Sequence, residues 1–146
     1  MTNYIKIPGF NPPKYQTAYS TYTDRVFLKP QDSFLKDPTI EYAVALDKNG
    51  YLPTHNTKYQ QALTFDEKRD LKTNRTKRIF TDEIIARANS SEEVLVQEYK
   101  MDNGETIADV SAPIYVLGER WGIFSVGVNF KILKDFKKQK ITNFFI

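Results

Sequence analysis

Cysteine is absent from the 146-residue chain, and histidine occurs once, as His55. Without cysteine the chain can form no disulfide, thiolate zinc site, covalently attached c-type haem or cysteine nucleophile. A single histidine excludes catalytic metal centres that need two or more imidazole ligands. No apolar run approaches the roughly 18 residues that a membrane-spanning helix requires, and no signal peptide is visible.

The common catalytic motifs are absent as well. The chain has no GxSxG elbow, no HExxH helix and no GxxxxGK[ST] phosphate loop. Its carboxylates are plentiful, but none has a spacing that marks a catalytic dyad. We therefore expect that the protein is not an enzyme, and we predict no catalytic residue, metal or cofactor.

Aromatic and apolar residues are abundant, with 10 Phe, 9 Tyr and 1 Trp in a chain that is 40% hydrophobic. This composition argues against disorder, and the length fits one hydrophobic core. We predict a single domain over 1–146, with its core at about 12–130.

Positive charge is concentrated in two segments, although the chain as a whole carries only +3. Residues 131–146 hold five Lys and one Asp, and residues 66–78 hold six basic and three acidic side chains. A protein that binds a nucleic-acid duplex would usually present a broad basic face. We expect no nucleic-acid partner and interpret 131–146 as a solvated basic segment.

Turn signals and apolar periodicity predict the elements. Pro12 and Pro13 favour an extended lead-in, and DKNG (47–50) and DNG (102–104) are typical of hairpin turns. Thr81-Asp82 is a good start for a second helix within the helical segment 66–88. The remaining elements are a helix at 15–28, strands at 40–46, 51–55, 93–101, 105–116 and 121–128, and a helix at 129–140. Pro113 is expected at a bulge or an edge.

This order predicts an α+β fold, because neither a hairpin nor a short meander is stable alone. We expect a five-stranded antiparallel sheet in which strands 51–55 and 93–101 are separated by helices, with further helices at both ends.

Three polar residues are candidates for binding in the region that joins those strands. His55 follows a strand and could donate a hydrogen bond to a ligand, act as a base or ligate haem; a bond to the backbone is the structural alternative. Arg75 and Arg78 are three residues apart, so on a helix they would share one side and could clamp a carboxylate or phosphate. A helix with surface ion pairs to Glu67 and Asp70 would explain the same residues.

Tyr99, Asp109 and Trp121 are candidates on the last three strands. Aromatic residues on a sheet usually contribute to cross-strand or core packing. One sheet face could instead form the wall of a small pocket.

Several motifs in order resemble the PAS-like, single Cache sensor domain of methyl-accepting chemotaxis receptors. They are PPKYQTAYSTYTD (12–24), DKNGYLPTHN (47–56), NRTKRIFTD (74–82), QEYKMDNGE (97–105) and DVSAPIYVLGERWG (109–122). The resemblance implies a PAS-like fold and an extracytoplasmic domain that binds a small carboxylate, such as acetate or pyruvate, between the sheet and the joining helices.

The resemblance also implies roles for the candidates. Arg75 and Arg78 would pair with the carboxylate, His55 or the Tyr99 hydroxyl would donate a hydrogen bond to it, and Trp121 would close an apolar side. Asp109 would come from the same sheet.

The expected location is the periplasmic or extracellular side of a bacterial inner-membrane receptor. The basic segment 131–146 would lead towards a membrane helix outside this chain. A homodimer is also implied, although this chain lacks the long N-terminal helix that commonly supplies its contact. Two alternatives stay open: a sensor that holds haem non-covalently through His55, and a ligand-free PAS-like interaction module.

Overall fold

The computed structural model describes residues 2–100, 104–132 and 135. Its architecture is α+β, which confirms the predicted fold class. The elements in chain order are β1 (Ile5–Ile7), β2 (Lys14–Gln16), α1 (Ser20–Val26), α2 (Leu28–Phe34), β3 (Ile40–Asp47), β4 (Tyr51–Leu52), a 3₁₀ turn (Thr57–Tyr59), α3 (Glu67–Thr73), β5 (Arg78–Ile79), α4 (Glu83–Ser90), β6 (Leu95–Lys100), β7 (Thr106–Val116) and β8 (Glu119–Asn129).

The main sheet has four antiparallel strands in the order β3-β8-β7-β6. The expectation of five strands is therefore wrong for the described residues. β4 instead pairs with β5, and β1 pairs with β2 in a separate hairpin. The segment between β4 and α4 lies over one face of the main sheet.

Side-chain amides occupy the edge of β3 where a fifth strand would have paired. The Gln31 amide accepts from the Ala45 N–H (3.0 Å) and donates to the Thr54 carbonyl (2.9 Å). The Asn56 amide accepts from the Ala43 N–H (2.9 Å) and donates to the carbonyl of the same residue (3.1 Å). These bonds satisfy the backbone groups of β3 that a neighbouring strand would otherwise have satisfied. The chain after β4 is thus attached to the sheet through side chains.

The last three strands follow the predicted meander. Val116 pairs with Glu119, and the two residues between them, Leu117 and Gly118, both have positive φ (51° and 79°). This combination matches a two-residue hairpin turn whose twist suits its flanking strands. Pro113 lies beyond the end of β6, which begins opposite Ser111, so β7 has a single neighbour there and tolerates proline.

The helical predictions are right in outline and wrong at several boundaries. The segment 15–28 contains the end of β2 and all of α1, and α2 continues to Phe34. The segment 66–88 divides into α3 and α4, with β5 between them. The predicted break at Asp82 is confirmed, because its carboxylate caps α4 by accepting from the Ile85 N–H (3.1 Å).

The predicted turn DNG falls largely on residues 101–103, outside the described residues, as does most of the predicted helix 129–140. Over the described ranges, we find no helix with the length and apolarity needed to cross a membrane.

Candidate functional site

A cavity of about 270 Å³ lies between one face of the main sheet and the segment that covers it. Its walls combine apolar side chains with a few polar groups. The lining residues are Tyr42, Val44, Leu46, Leu52, His55, Arg75, Phe80, Asp82, Ile84, Ile85, Tyr99, Asp109 and Ser125. Small-molecule sites are typically mostly apolar clefts with a small number of placed polar groups, and this cavity is slightly smaller than their usual size range, which begins at about 300 Å³.

Strand alternation builds the floor of the cavity. Tyr42, Val44 and Leu46 share one face of β3, and Val44 and Leu46 also belong to the hydrophobic core with Ile123. The cavity is therefore an opening in the main core, and its walls are held by the packing that stabilises the domain.

Asp109 is the most deeply buried acid of the site, with 1% of its surface exposed. One carboxylate oxygen, Oδ2, accepts from the hydroxyls of Tyr42 (2.5 Å) and Ser125 (2.5 Å). The other oxygen, Oδ1, is buried without a hydrogen-bond partner among the described residues. Burial, together with the charge of Asp82, raises the pKa of Asp109 above its usual value, although the two hydroxyls oppose the shift.

Tyr99 contributes a hydroxyl to the cavity lining. Its hydroxyl donates to the Tyr42 hydroxyl (3.1 Å), which in turn donates to Asp109. The pKa of Tyr99 is raised by burial and by the charge of Asp109, and the charge of Arg75 opposes this shift. The charges of Asp109 and Arg75 therefore both act on the Tyr99 hydroxyl, with opposite effects on its pKa.

His55 is 4% exposed, and its Nδ1 accepts a hydrogen bond from the Asn56 N–H (2.8 Å). The backbone bond that the sequence left as an alternative is thus present. Burial, reinforced by Arg75 and other cations, lowers the pKa of His55 well below its usual value, so the ring is neutral. A neutral ring that accepts at Nδ1 carries its proton on Nε2, and among the described residues no acceptor bonds this nitrogen of a side chain that lines the cavity.

Two hydrogen bonds fix the position of Arg75, one from its own backbone and one to the side chain of the next residue, Thr76. The Arg75 N–H donates to the Tyr59 carbonyl (2.8 Å), and the His55 N–H donates to the Thr76 hydroxyl (3.2 Å). These bonds fix Arg75 relative to His55 on the same wall. The Nε of Arg75 is buried without a partner, and the side chain forms no ion pair with any described residue.

Arg78 does not line the cavity and does not share a helix with Arg75, contrary to the interpretation of their spacing. α3 ends at Thr73, Asn74 is extended, and Lys77 has a positive φ of 62°, so the chain turns before β5. The Arg78 guanidinium instead lies over the ring of Phe80, at 4.8 Å from its centroid, and its Nη1 is buried without a partner in the described part of the chain. Arg78 thus lies behind a cavity residue and adds positive charge there.

Lys14 adds a further buried cation behind the same wall, and sequence reasoning did not identify it. Its Nζ donates to the Asn74 side chain (2.6 Å) and the Thr76 carbonyl (2.5 Å). These two bonds stabilise the loop that contains Arg75. Burial and the neighbouring cations Arg78 and Lys77 lower the pKa of Lys14 to about 8. This wall of the site is therefore electropositive.

Trp121 lies outside the cavity. Ile114 pairs with Gly122 and Tyr115 with Arg120, so Trp121 is the extra residue of a β-bulge. Its ring packs edge-on against Tyr19 (6.0 Å between centroids) and Phe27 (6.2 Å). Simple alternation along β8 fails at the bulge, and the expected role of Trp121 as an apolar wall has no geometric support.

The structure thus places four of the six candidates, His55, Arg75, Tyr99 and Asp109, around one cavity. The sequence analysis missed the polar contributions of Tyr42, Asp82 and Ser125. Tyr42 could have been found from alternation with Val44 and Leu46, whereas the sequence marked Asp82 only as a helix cap. Whether any of these residues contacts a ligand stays a prediction.

The raised pKa of Asp109 predicts a stability effect. We expect Asp109→Asn to increase the free energy of unfolding at pH 7 by about 1–2 kcal/mol, because it removes a buried negative charge and keeps an acceptor for Tyr42 and Ser125. Folding raises this pKa, so the stability that Asp109 contributes is present at low pH and is lost as pH rises through the folded value.

Urea unfolding of both proteins between pH 4 and pH 7 measures this difference, which should shrink towards the acid end. Asp37→Asn is the matched control with the opposite sign, since hydrogen bonds from Thr39 lower the pKa of Asp37. A variant of Asp109 that is less stable than the parent at pH 7 would contradict the expectation.

Over the ranges that the structure describes, no group of three or more His, Asp or Glu side chains could hold a metal ion.

No protein-family model and no curated protein matches the chain. Among solved structures, the chain is similar to part of an extracellular ligand binding receptor from Desulfohalobium retbaense DSM5692, at a TM-score of 0.46 and 14% sequence identity. The similarity covers 77% of this chain and 20% of the receptor chain, so this chain spans about a fifth of that protein.

Proposed function

We propose that this chain is the sensor domain of a receptor and binds a small organic acid in the cavity between sheet and covering segment. The observation that carries the proposal is Arg75, whose buried Nε has no partner and whose guanidinium lacks an ion pair among the described residues. The Arg75 side chain as a whole is half-buried, but a buried donor without a partner is costly. A carboxylate ligand would remove that cost while forming charge-assisted hydrogen bonds with the guanidinium.

The rest of the wall supports an anion at this position. The Nε2–H of His55 is a second donor, and Lys14 and Arg78 behind the wall contribute positive potential. The apolar residues around the cavity would take the hydrocarbon part of the acid and exclude water.

Receptor function is supported by the motifs at 47–56, 74–82, 97–105 and 109–122, which resemble single Cache sensors. In the proposed receptor the domain lies outside the cytoplasm, is anchored through a membrane helix and passes the binding event to a chemotaxis signalling unit. A homodimer would be the signalling form.

A cavity with unpaired polar groups favours ligand binding over the ligand-free interaction module. The haem alternative requires a much larger opening than about 270 Å³ beside an imidazole that is nearly fully buried. We therefore favour the small acid over both.

Thermal-shift screening of short carboxylates tests this function. At a concentration of about 100 times the dissociation constant, a ligand adds about 2.7 kcal/mol to the free energy of unfolding. For a domain of this size we expect the melting temperature to rise by several degrees. If no organic acid stabilises the parent protein, the proposed function is wrong.

Arg75→Ala should weaken binding of the best acid by about ten- to a hundredfold, because it removes a charged hydrogen-bond donor. Arg87→Ala is the matched control, since Arg87 is exposed on α4, pairs with Glu83 and does not line the cavity. Isothermal titration calorimetry measures both affinities. Equal weakening by the two substitutions would show that Arg75 has no specific role.

A further inference from the structure

The second polar end of the cavity constrains the ligand further. Asp109 has two carboxylate oxygens, and the hydroxyl protons of Tyr42 and Ser125 are both used on Oδ2. Oδ1 remains buried and, within the ranges that the structure describes, unpaired, although the side chain lines the cavity. A buried acceptor without a donor is unfavourable, so this atom marks a position where a donor belongs.

No described residue donates to Oδ1: even the hydroxyl of Ser111, two residues along the same face of β7, is buried without a partner and forms no bond to it. Tyr99 already donates to Tyr42, and the charged side chain that acts on the pKa of Asp109 is another acid, Asp82. Asp82 uses its own carboxylate to cap α4 through the Ile85 N–H. This end of the cavity is therefore rich in acceptors and negatively charged.

The wall that contains Arg75 and His55 is rich in donors and positively charged. Arg75 and the Nε2–H of His55 present donors there, and Arg75 influences Tyr99 but is not among the charges that act on Asp109. The apolar side chains of Val44 and Leu46 lie along the floor. A complementary molecule has an anionic group at one end and a hydrogen-bond donor at the other.

We propose that the ligand is a short acid that also carries a hydroxyl or ammonium group, and that Asp109 Oδ1 accepts the hydrogen bond of that group. This inference rests on the proposed function, because the carboxylate end is the one that Arg75 binds. It separates acids with a donor from acids without one: acetate and propionate offer no second polar group, and the keto oxygen of pyruvate is a further acceptor facing an acceptor.

The experiment compares matched acids by calorimetry at pH 7. The short set is propionate, pyruvate, lactate and alanine, and the longer set is pentanoate, 5-hydroxypentanoate and 5-aminopentanoate. Within at least one set, we expect the best donor-bearing acid to bind about tenfold or more tightly than the acids without a donor. The hydroxyl and amino members distinguish the two kinds of donor.

Asp109→Asn should reduce the ratio of affinities between donor-bearing acids and acids without a donor to nearly one. The amide presents an NH₂ group where the unpaired acceptor was. Asp37→Asn, whose side chain does not line the cavity, should leave the preference intact. If Asp109→Asn does not fold, the preference measured on the parent protein decides alone.

Binding of propionate, pyruvate or pentanoate as tight as that of the donor-bearing members overturns the inference and leaves the proposed function standing. A preference that survives Asp109→Asn also overturns it. Failure of all seven acids to bind contradicts the inference, and the broader thermal screen then decides whether the proposed function fails with it.

Discussion

Asp47→Ala is expected to lower the free energy of unfolding by about 4 kcal/mol or more. Asp47 is 3% exposed and accepts hydrogen bonds at both carboxylate oxygens. Oδ2 accepts from the hydroxyls of Tyr4 and Tyr19, and Oδ1 accepts from the backbone N–H groups of Asn49 (2.9 Å) and Tyr51 (3.0 Å). Asn49 is exposed, but Tyr51 is buried and Tyr4 and Tyr19 are half-buried. A buried donor left without a partner costs about 1–3 kcal/mol, and alanine supplies no replacement acceptor.

Urea unfolding monitored by tryptophan fluorescence measures the loss, because Trp121 packs against Tyr19. Asp47→Asn is the second variant if alanine does not fold; it retains one acceptor atom and should lose about half as much. Asp37→Ala, at an exposed turn that bonds only Thr39, is the control with a much smaller effect. A loss below about 1 kcal/mol for Asp47→Ala would show that these bonds contribute little.

The position of Asp47 explains why this effect concerns the site as well as the fold. The same carboxylate joins Tyr4, which precedes β1, and Tyr19, which directly precedes α1, to the turn between β3 and β4. That turn leads directly into Leu52 and His55, which line the cavity. Weakening the turn should therefore reduce ligand affinity in addition to stability.

The four strands of the main sheet were predictable because local signals determine them. β3, β6, β7 and β8 have β-forming residues and are bounded by turn residues whose conformational preferences are strong, such as Gly118. The order of β6, β7 and β8 follows from consecutive short connections. The failure at the fifth strand has a different origin, because Gln31 and Asn56 are distant in sequence from the backbone groups that they satisfy.

The site was predictable where it lies on regular strands and unpredictable elsewhere. Tyr99 and Asp109 face the cavity because alternation is unbroken along β6 and β7. Trp121 does not face the cavity, because the extra residue in β8 breaks the alternation of side chains between the two faces of the sheet. A β-bulge has no local sequence signal comparable to the alternation itself. Arg75 and Arg78 were assigned to one helix, yet the helix ends at Thr73 and only Arg75 reaches the cavity.

Gln31→Leu tests whether a side-chain amide replaces strand pairing at the wall of the site. Gln31 is 2% exposed, and leucine of similar size would leave the Ala45 N–H and the Thr54 carbonyl buried and unpaired. We expect the free energy of unfolding to fall by about 2–4 kcal/mol. Hydrogen exchange should accelerate at the Ala45 amide in particular.

The same substitution should also weaken binding of the best organic acid, because Thr54 directly precedes His55 on the cavity wall. Gln61→Leu is the matched control, because the exposed Gln61 side chain donates to the Lys58 carbonyl and accepts from Arg69, both at the surface. The bonds of the Gln61 backbone are kept, so both stability and affinity should stay near those of the parent. Gln31→Leu could instead leave the free energy of unfolding and the protection of the Ala45 amide unchanged. In that case packing on β3, and not the side-chain amides at the edge of the sheet, holds the chain after β4. Loss of stability with full retention of affinity would have a different meaning: Asn56, which bonds both backbone groups of Ala43, would then suffice to keep His55 in place.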